Sequence, residues 1–165
     1  MTLRLVLLAL LTLAATPGRA ADRIERRHLG AWTLEARTDA FTGARSCRLS
    51  ASHMDYRRGA VVLRLPRWED TSAAVYRVDA GPPVDTRAEA MEMARRGFAL
   101  NDDTLTNPSG GLVRIPEEQL ASAKIVWVRA DAKSRPEVFK IAGLSAALDA
   151  AHAAGCPPDA FDPPR

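Results

Sequence analysis

The sequence predicts a mainly β protein, a β-sandwich elaborated by two short helices, one of them at the C-terminal end. Three observations predict it. Seven runs of four to six residues carry β-branched or alternating apolar patterns. Gly- and Pro-rich clusters punctuate them at short intervals. Only two segments hold helical periodicity, too few to alternate with strands as a doubly wound α/β sheet requires.

Each element follows from its residues. Asp22 to His28 is a charged lead-in, and regular patterning begins with Ala31-Trp32-Thr33-Leu34-Glu35-Ala36, which alternates apolar and polar residues as a half-buried strand does. Phe41-Thr42-Gly43-Ala44 turns the chain into a second strand, Ser46 to Ser50, with Cys47 and Leu49 on one face. Arg57-Arg58-Gly59 punctuates next, and Ala60 to Leu65 is a third strand by its β-branched content and the Pro66 stop. Ala74 to Val78 is a fourth, closed by the turn cluster Asp79-Ala80-Gly81-Pro82-Pro83.

Thr86-Arg87-Ala88-Glu89 has the form of a capping box, in which hydroxyl and carboxylate satisfy free N–H groups at a helix start. Ala88, Met91 and Ala94 recur at helical spacing, Glu92 can pair with Arg96, and Gly97 is placed to stop the helix. Asn107 to Gly111 is a loop, Leu112 to Ile115 a strand, and Pro116 to Leu120 a helical turn with proline first. Lys124 to Arg129 and Glu137 to Ile141 form a hairpin across the polar segment Ala130 to Pro136. The last helix, Leu144 to Ala154, aligns Leu144, Ala147, Leu148 and Ala151 on one face and ends at Gly155 and Pro157.

Residues 1–20 read as a removable export signal. Arg4 opens a basic region, Leu5 to Ala15 is apolar, and Gly18-Arg19-Ala20 offers small residues at the positions a signal peptidase reads. A run of eleven residues is too short to span a bilayer, which takes about 20, and no other apolar run approaches that length. The expectation is cleavage near Ala20 and a periplasmic or secreted single domain over 21–165, its tail Pro-rich and loose, that is not an integral membrane protein. Loss of two arginines with the signal leaves 21 bases against 20 acids, a formal charge of +1. The basic balance is therefore no argument for nucleic acid as a partner.

Few residue patterns point to chemistry. Cys47 and Cys156 make an even cysteine count in an oxidising compartment, which favours a disulfide over two free thiols, and no Cys-x-x-Cys motif supports redox catalysis. His28, His53 and His152 lack ligand spacing, so no metal is expected. The oxygen-rich Asn101-Asp102-Asp103-Thr104 and Asn107 lack the spacing of a calcium loop. There is no nucleophile elbow, no phosphate loop and no cofactor fingerprint, which leaves no catalytic residue to nominate and tilts the expectation away from an enzyme. The doublets Arg26-Arg27, Arg57-Arg58 and Arg95-Arg96 could face an anionic surface component. Trp32, Tyr76, Trp127 and Phe139 fall on strands where core packing explains them, whereas Trp68 lies in a turn. Trp68, Arg57 and Arg58 are thus the candidate binding residues.

Gly30-Ala31-Trp32-Thr33-Leu34, then Cys47-Arg48-Leu49, then Phe139-Lys140-Ile141-Ala142-Gly143-Leu144-Ser145-Ala146-Ala147-Leu148 together resemble the invasion-associated locus B proteins. The resemblance runs from Gly30 to Cys156 and implies an immunoglobulin-like β-sandwich exported by a Gram-negative bacterium. In this family a cysteine often follows the tryptophan by a few residues, where this chain has Ala36. The functional expectation is a non-enzymatic module that binds an envelope component or protein partner. The alternative is an enzyme or chaperone-like accessory acting on cell-wall or lipid substrates.

Overall fold

The computed structural model describes residues 21–65, 69–95 and 110–161. The chain is mainly β, and its described residues form two antiparallel sheets and two helices, one of them C-terminal. The elements in order are β1 (Arg23–Leu29), β2 (Trp32–Thr38), β3 (Arg45–Ala51), β4 (Met54–Arg57), β5 (Ala60–Arg64), β6 (Val75–Val78), β7 (Pro83–Asp85), α1 (Thr86–Arg95), β8 (Leu112–Pro116), β9 (Ile125–Arg129), β10 (Glu137–Lys140) and α2 (Leu144–Ala153). Single 3-10 turns follow β8 at Glu117–Gln119 and α2 at Pro158–Phe161.

The larger sheet has the order β1-β2-β3-β4-β5-β8 and the smaller one β10-β9-β6-β7. Tight turns of two residues join the first strands: Leu29 faces Trp32, Ala51 faces Met54, and Arg57 faces Ala60. Arg58 and Gly59 both have positive φ, 47° and 70°, which matches the right-handed twist of the strands they join.

Strand alternation sends one set of side chains inward. Trp32, Leu34 and Ala36 of β2, Cys47 and Leu49 of β3, Met54 and Tyr56 of β4, and Val61 and Leu63 of β5 are all buried. They share one core with Tyr76, Val126, Val128 and Phe139 of the smaller sheet and with Leu144, Ala147, Leu148 and Ala151 of α2. Each large aliphatic side chain so buried stabilises the fold by about 1.5–3 kcal/mol. The opposite face of the larger sheet is a charge ladder, in which Arg26 pairs with Glu35 at 2.5 Å and Arg48 with Asp55 at 2.9 Å.

The disulfide joins Cys47 to Cys156 across 109 residues. The end of α2 aims the second sulfur. Cys156 N–H donates to the Ala151 carbonyl and Gly155 N–H to that of His152, while Gly155 sits at φ 77°. This is a Schellman ending, which needs a left-handed residue at Gly155 and places Cys156 directly over the core.

Several expectations are corrected. The charged lead-in is strand β1, paired along its full length with β2; most of its residues are exposed, so no alternation marks it. Met54 to Arg57 is a strand of its own, and Pro83, expected to end a turn cluster, begins the edge strand Pro83–Asp85, a place where proline is tolerated. At the start of α1 the capping box does not form: Asp85 accepts the Arg87 N–H at 2.8 Å, and the Thr86 hydroxyl donates to the Ala74 carbonyl instead. Arg95, one turn after Glu92, binds it at 2.8 Å, while Arg96 and Gly97 lie outside the described residues. Ala88, Met91 and Ala94 are exposed rather than packed, with Met91 at 59%. Trp127 lies on the outer face of the smaller sheet, its ring centroid 5.7 Å from the Arg77 guanidinium carbon.

Candidate functional site

A cleft of 350 Å³ opens where the tips of the larger sheet meet the edge of the smaller one. Its walls are Ala31 of the β1–β2 turn, Ala51 to Met54 around the β3–β4 turn, and all four residues of β10. Met54 and Phe139 are buried and form an apolar floor, while Val138 remains 46% exposed. His53, Lys140 and Glu137 are the titratable residues in the wall. His53 takes φ 57° at the second turn position, and its carbonyl accepts the Arg64 N–H at 2.9 Å, which ties the turn to the end of β5.

The backbone of β10 is half used. Asp79 N–H donates to the Ile125 carbonyl, so Ile125 bonds towards β6, and alternation turns Val126 and Val128 towards β10. Their partners are Phe139 and Glu137, and Ile141 N–H continues the ladder to the Lys124 carbonyl at 3.0 Å. Val138 and Lys140 therefore point their N–H and C=O groups away from the sheet.

A second polar cluster joins the two sheets. The Tyr56 hydroxyl of β4 donates to the Glu117 carboxylate, and the Tyr76 hydroxyl of β6 donates to Gln119 Oε1 at 2.6 Å. The 3-10 turn Glu117–Gln119 thus receives one phenol from each sheet, and the Phe161 ring stands edge-on to Tyr56 at 5.0 Å between centroids. Burial, and then the Glu117 carboxylate beside it, pushes the Tyr56 phenol well above its ordinary value. Burial, followed by the charge of Glu89, does the same for Tyr76. The cluster ties β4 of one sheet and β6 of the other to the same 3-10 turn.

Of the residues nominated from the sequence, Arg57 and Arg58 are described and Trp68 is not. Arg57 and Arg58 stand at the far end of β4 from the cleft, where the Arg58 carbonyl accepts from Nη2 of the buried Arg114 at 3.2 Å. Trp68 lies outside the described residues, as do residues 1–20 and the Asn101 to Asn107 segment. Arg26 and Arg27 face opposite sides of β1, and Arg27 approaches Glu25 at 3.9 Å, beside Arg23 at 3.1 Å and Arg45 at 3.5 Å. His28, His53 and His152 lie on β1, a turn and α2; among the described residues no three metal-ligating side chains come together. No described helix is long and apolar enough to cross a membrane. The cleft and the tyrosine clamp escaped sequence reasoning because their members are remote: Tyr56 and Glu117 are 61 residues apart. Only the inward alternation of Met54 and Tyr56 hinted at either.

Among the described residues, fold and site together define a disulfide-stapled, two-sheet β protein with a terminal strand, β10, unpaired on its outer edge beside a cleft. No family model, curated protein or solved structure matches the chain.

Proposed function

We propose that this chain is an exported, periplasmic, non-enzymatic β-sandwich that binds a protein partner of the cell envelope, a module of the invasion-associated locus B kind. The observation that carries the reading is the cleft: five of its nine lining residues, Ala31, Ala51, Met54, Val138 and Phe139, are apolar, and its polar side chains come from one turn, Ser52 and His53, and from the two ends of β10, Glu137 and Lys140. Such a surface suits contact with another chain better than bond-breaking, which calls for polar groups converging on one reacting atom. The Cys47–Cys156 bridge supports an oxidising compartment. The short motifs from Gly30 to Cys156 support the resemblance.

The test is photo-crosslinking in intact cells, with the crosslinker placed in turn at Val138, Arg58 and Phe41, followed by cell fractionation. One envelope protein captured from a single face, with the chain itself in the periplasmic fraction, is the expected result. A chain retained in the cytoplasm, or a purified protein that turns over murein fragments or phospholipids and captures nothing, refutes the proposal.

A further inference from the structure

Four strands end the two sheets, and they differ in how readily each could pair with another chain. β8 is buried along its whole length. β7 has three residues and begins at Pro83, which has no N–H to give to a ladder. β1 carries Arg23, Glu25, Arg26, Arg27 and His28, the dense charge that protects an edge from foreign strands. β10 differs from all three, because it presents the outward N–H and C=O groups of Val138 and Lys140 beside an apolar-floored cleft.

We infer that β10 is a strand-addition site, which takes an extended segment of a partner protein with alternating apolar and acidic side chains. This deepens the partner-binding reading and rests on it. The free edge dictates an extended backbone, since successive outward groups on β10 are two residues apart and only another strand repeats at that spacing. The wall of Ala31, Ala51 and Met54 receives apolar side chains on one side of the incoming strand. Charge sets which face carries the acids. Lys140 stands with Val138 on the face of β10 opposite buried Phe139, and attracts a carboxylate of an added strand on that face.

The probe is a capped octapeptide alternating valine and glutamate, titrated into the isotope-labelled, disulfide-intact protein, with amide shifts and hydrogen exchange as readouts. Binding slows exchange at the Val138 and Lys140 amides. Val138→Pro removes an N–H that the sheet does not use and weakens binding about tenfold or more, while Val138→Thr, which keeps the N–H, changes it by less than about twofold. Lys140→Glu reverses the preference towards a valine–lysine octapeptide. An octapeptide N-methylated along one edge fails to bind the unaltered protein, which removes any dependence on how the Val138→Pro variant folds. No protection at Val138 and Lys140 at millimolar peptide, or equal binding of the N-methylated peptide, overturns the site. If the peptide fails while a crosslinker at Arg58 still captures one envelope protein, strand addition at β10 falls and the broader reading stands.

Discussion

Opening the Cys47–Cys156 bridge should lower stability by several kcal/mol without unfolding the protein. The bridge closes a loop of 109 residues, and the chain-entropy relation for a loop of that size gives roughly 4.7 kcal/mol, within an observed range of about 0–5. The structure argues for the upper part of that range. Both sulfurs are buried, Cys47 at 7% and Cys156 at 0%, and the Schellman ending positions Cys156 without the bond's help. Four apolar residues of α2, Leu144, Ala147, Leu148 and Ala151, remain packed after reduction. The reduced protein is therefore folded but weaker. In a domain of this size each kcal/mol shifts the midpoint by about 2–4 °C, so reduction should lower Tm by roughly 10–20 °C. The assay is thermal and guanidinium unfolding by circular dichroism with and without a phosphine reductant, beside thiol titration of the unfolded, unreduced protein. Equal midpoints in the two states, or two titratable thiols before reduction, would refute the reasoning.

Tyr56→Phe removes a hydrogen bond to the Glu117 carboxylate and should cost about 1.5–3 kcal/mol, whereas Tyr76→Phe, which loses a neutral partner in Gln119, should cost about 1 kcal/mol; denaturant midpoints separate the two. Gly155→Ala forces a side chain onto φ 77° and should destabilise by about 1–2 kcal/mol, read from the same curves. Backbone hydrogen bonds hold the Asp22, Asp39, Asp70 and Asp131 carboxyls below their ordinary value. Their stabilisation is present above the unfolded value of about 4 and is lost as pH falls through the folded values, so melts should weaken below about pH 4 and Asp131→Asn should flatten that decline. The phenols of Tyr56 and Tyr76 are raised, so their contribution is full below about pH 10 and fades above it, and Tyr56→Phe should shallow the alkaline limb.

Local pattern made most of the scaffold legible. The runs beginning at Ala31, Ser46, Ala60, Ala74, Leu112, Lys124 and Glu137 all contain strands, within a residue or two at their ends. The turn residue Gly59 and the helix stop Gly155 both adopt the positive φ that glycine favours. β1 and β7 were illegible for a common reason: an edge strand exposes both faces or tolerates proline, so its sequence resembles a loop and its existence depends on the partner beside it. The Asp85 cap was hidden because Thr86 sits next to Ala74 in space and takes a different partner.

The candidate site was illegible for a stronger reason. Ala31, Met54 and Phe139 belong to three distant stretches, and no spacing along the chain announces that they share a wall. Arg57 and Arg58 stand at the other end of β4 from the cleft, at the turn into β5.

By itself the sequence determined the rhythm of strands, the C-terminal helix and the pairing of the two cysteines, because hydrophobic period, turn chemistry and cysteine parity are local or compositional properties. Only the tertiary structure decided which strand is left open. That depends on sheet order: among the described residues β10 ends the sheet β10-β9-β6-β7, an order set by long-range pairings of backbone groups that every sequence carries alike.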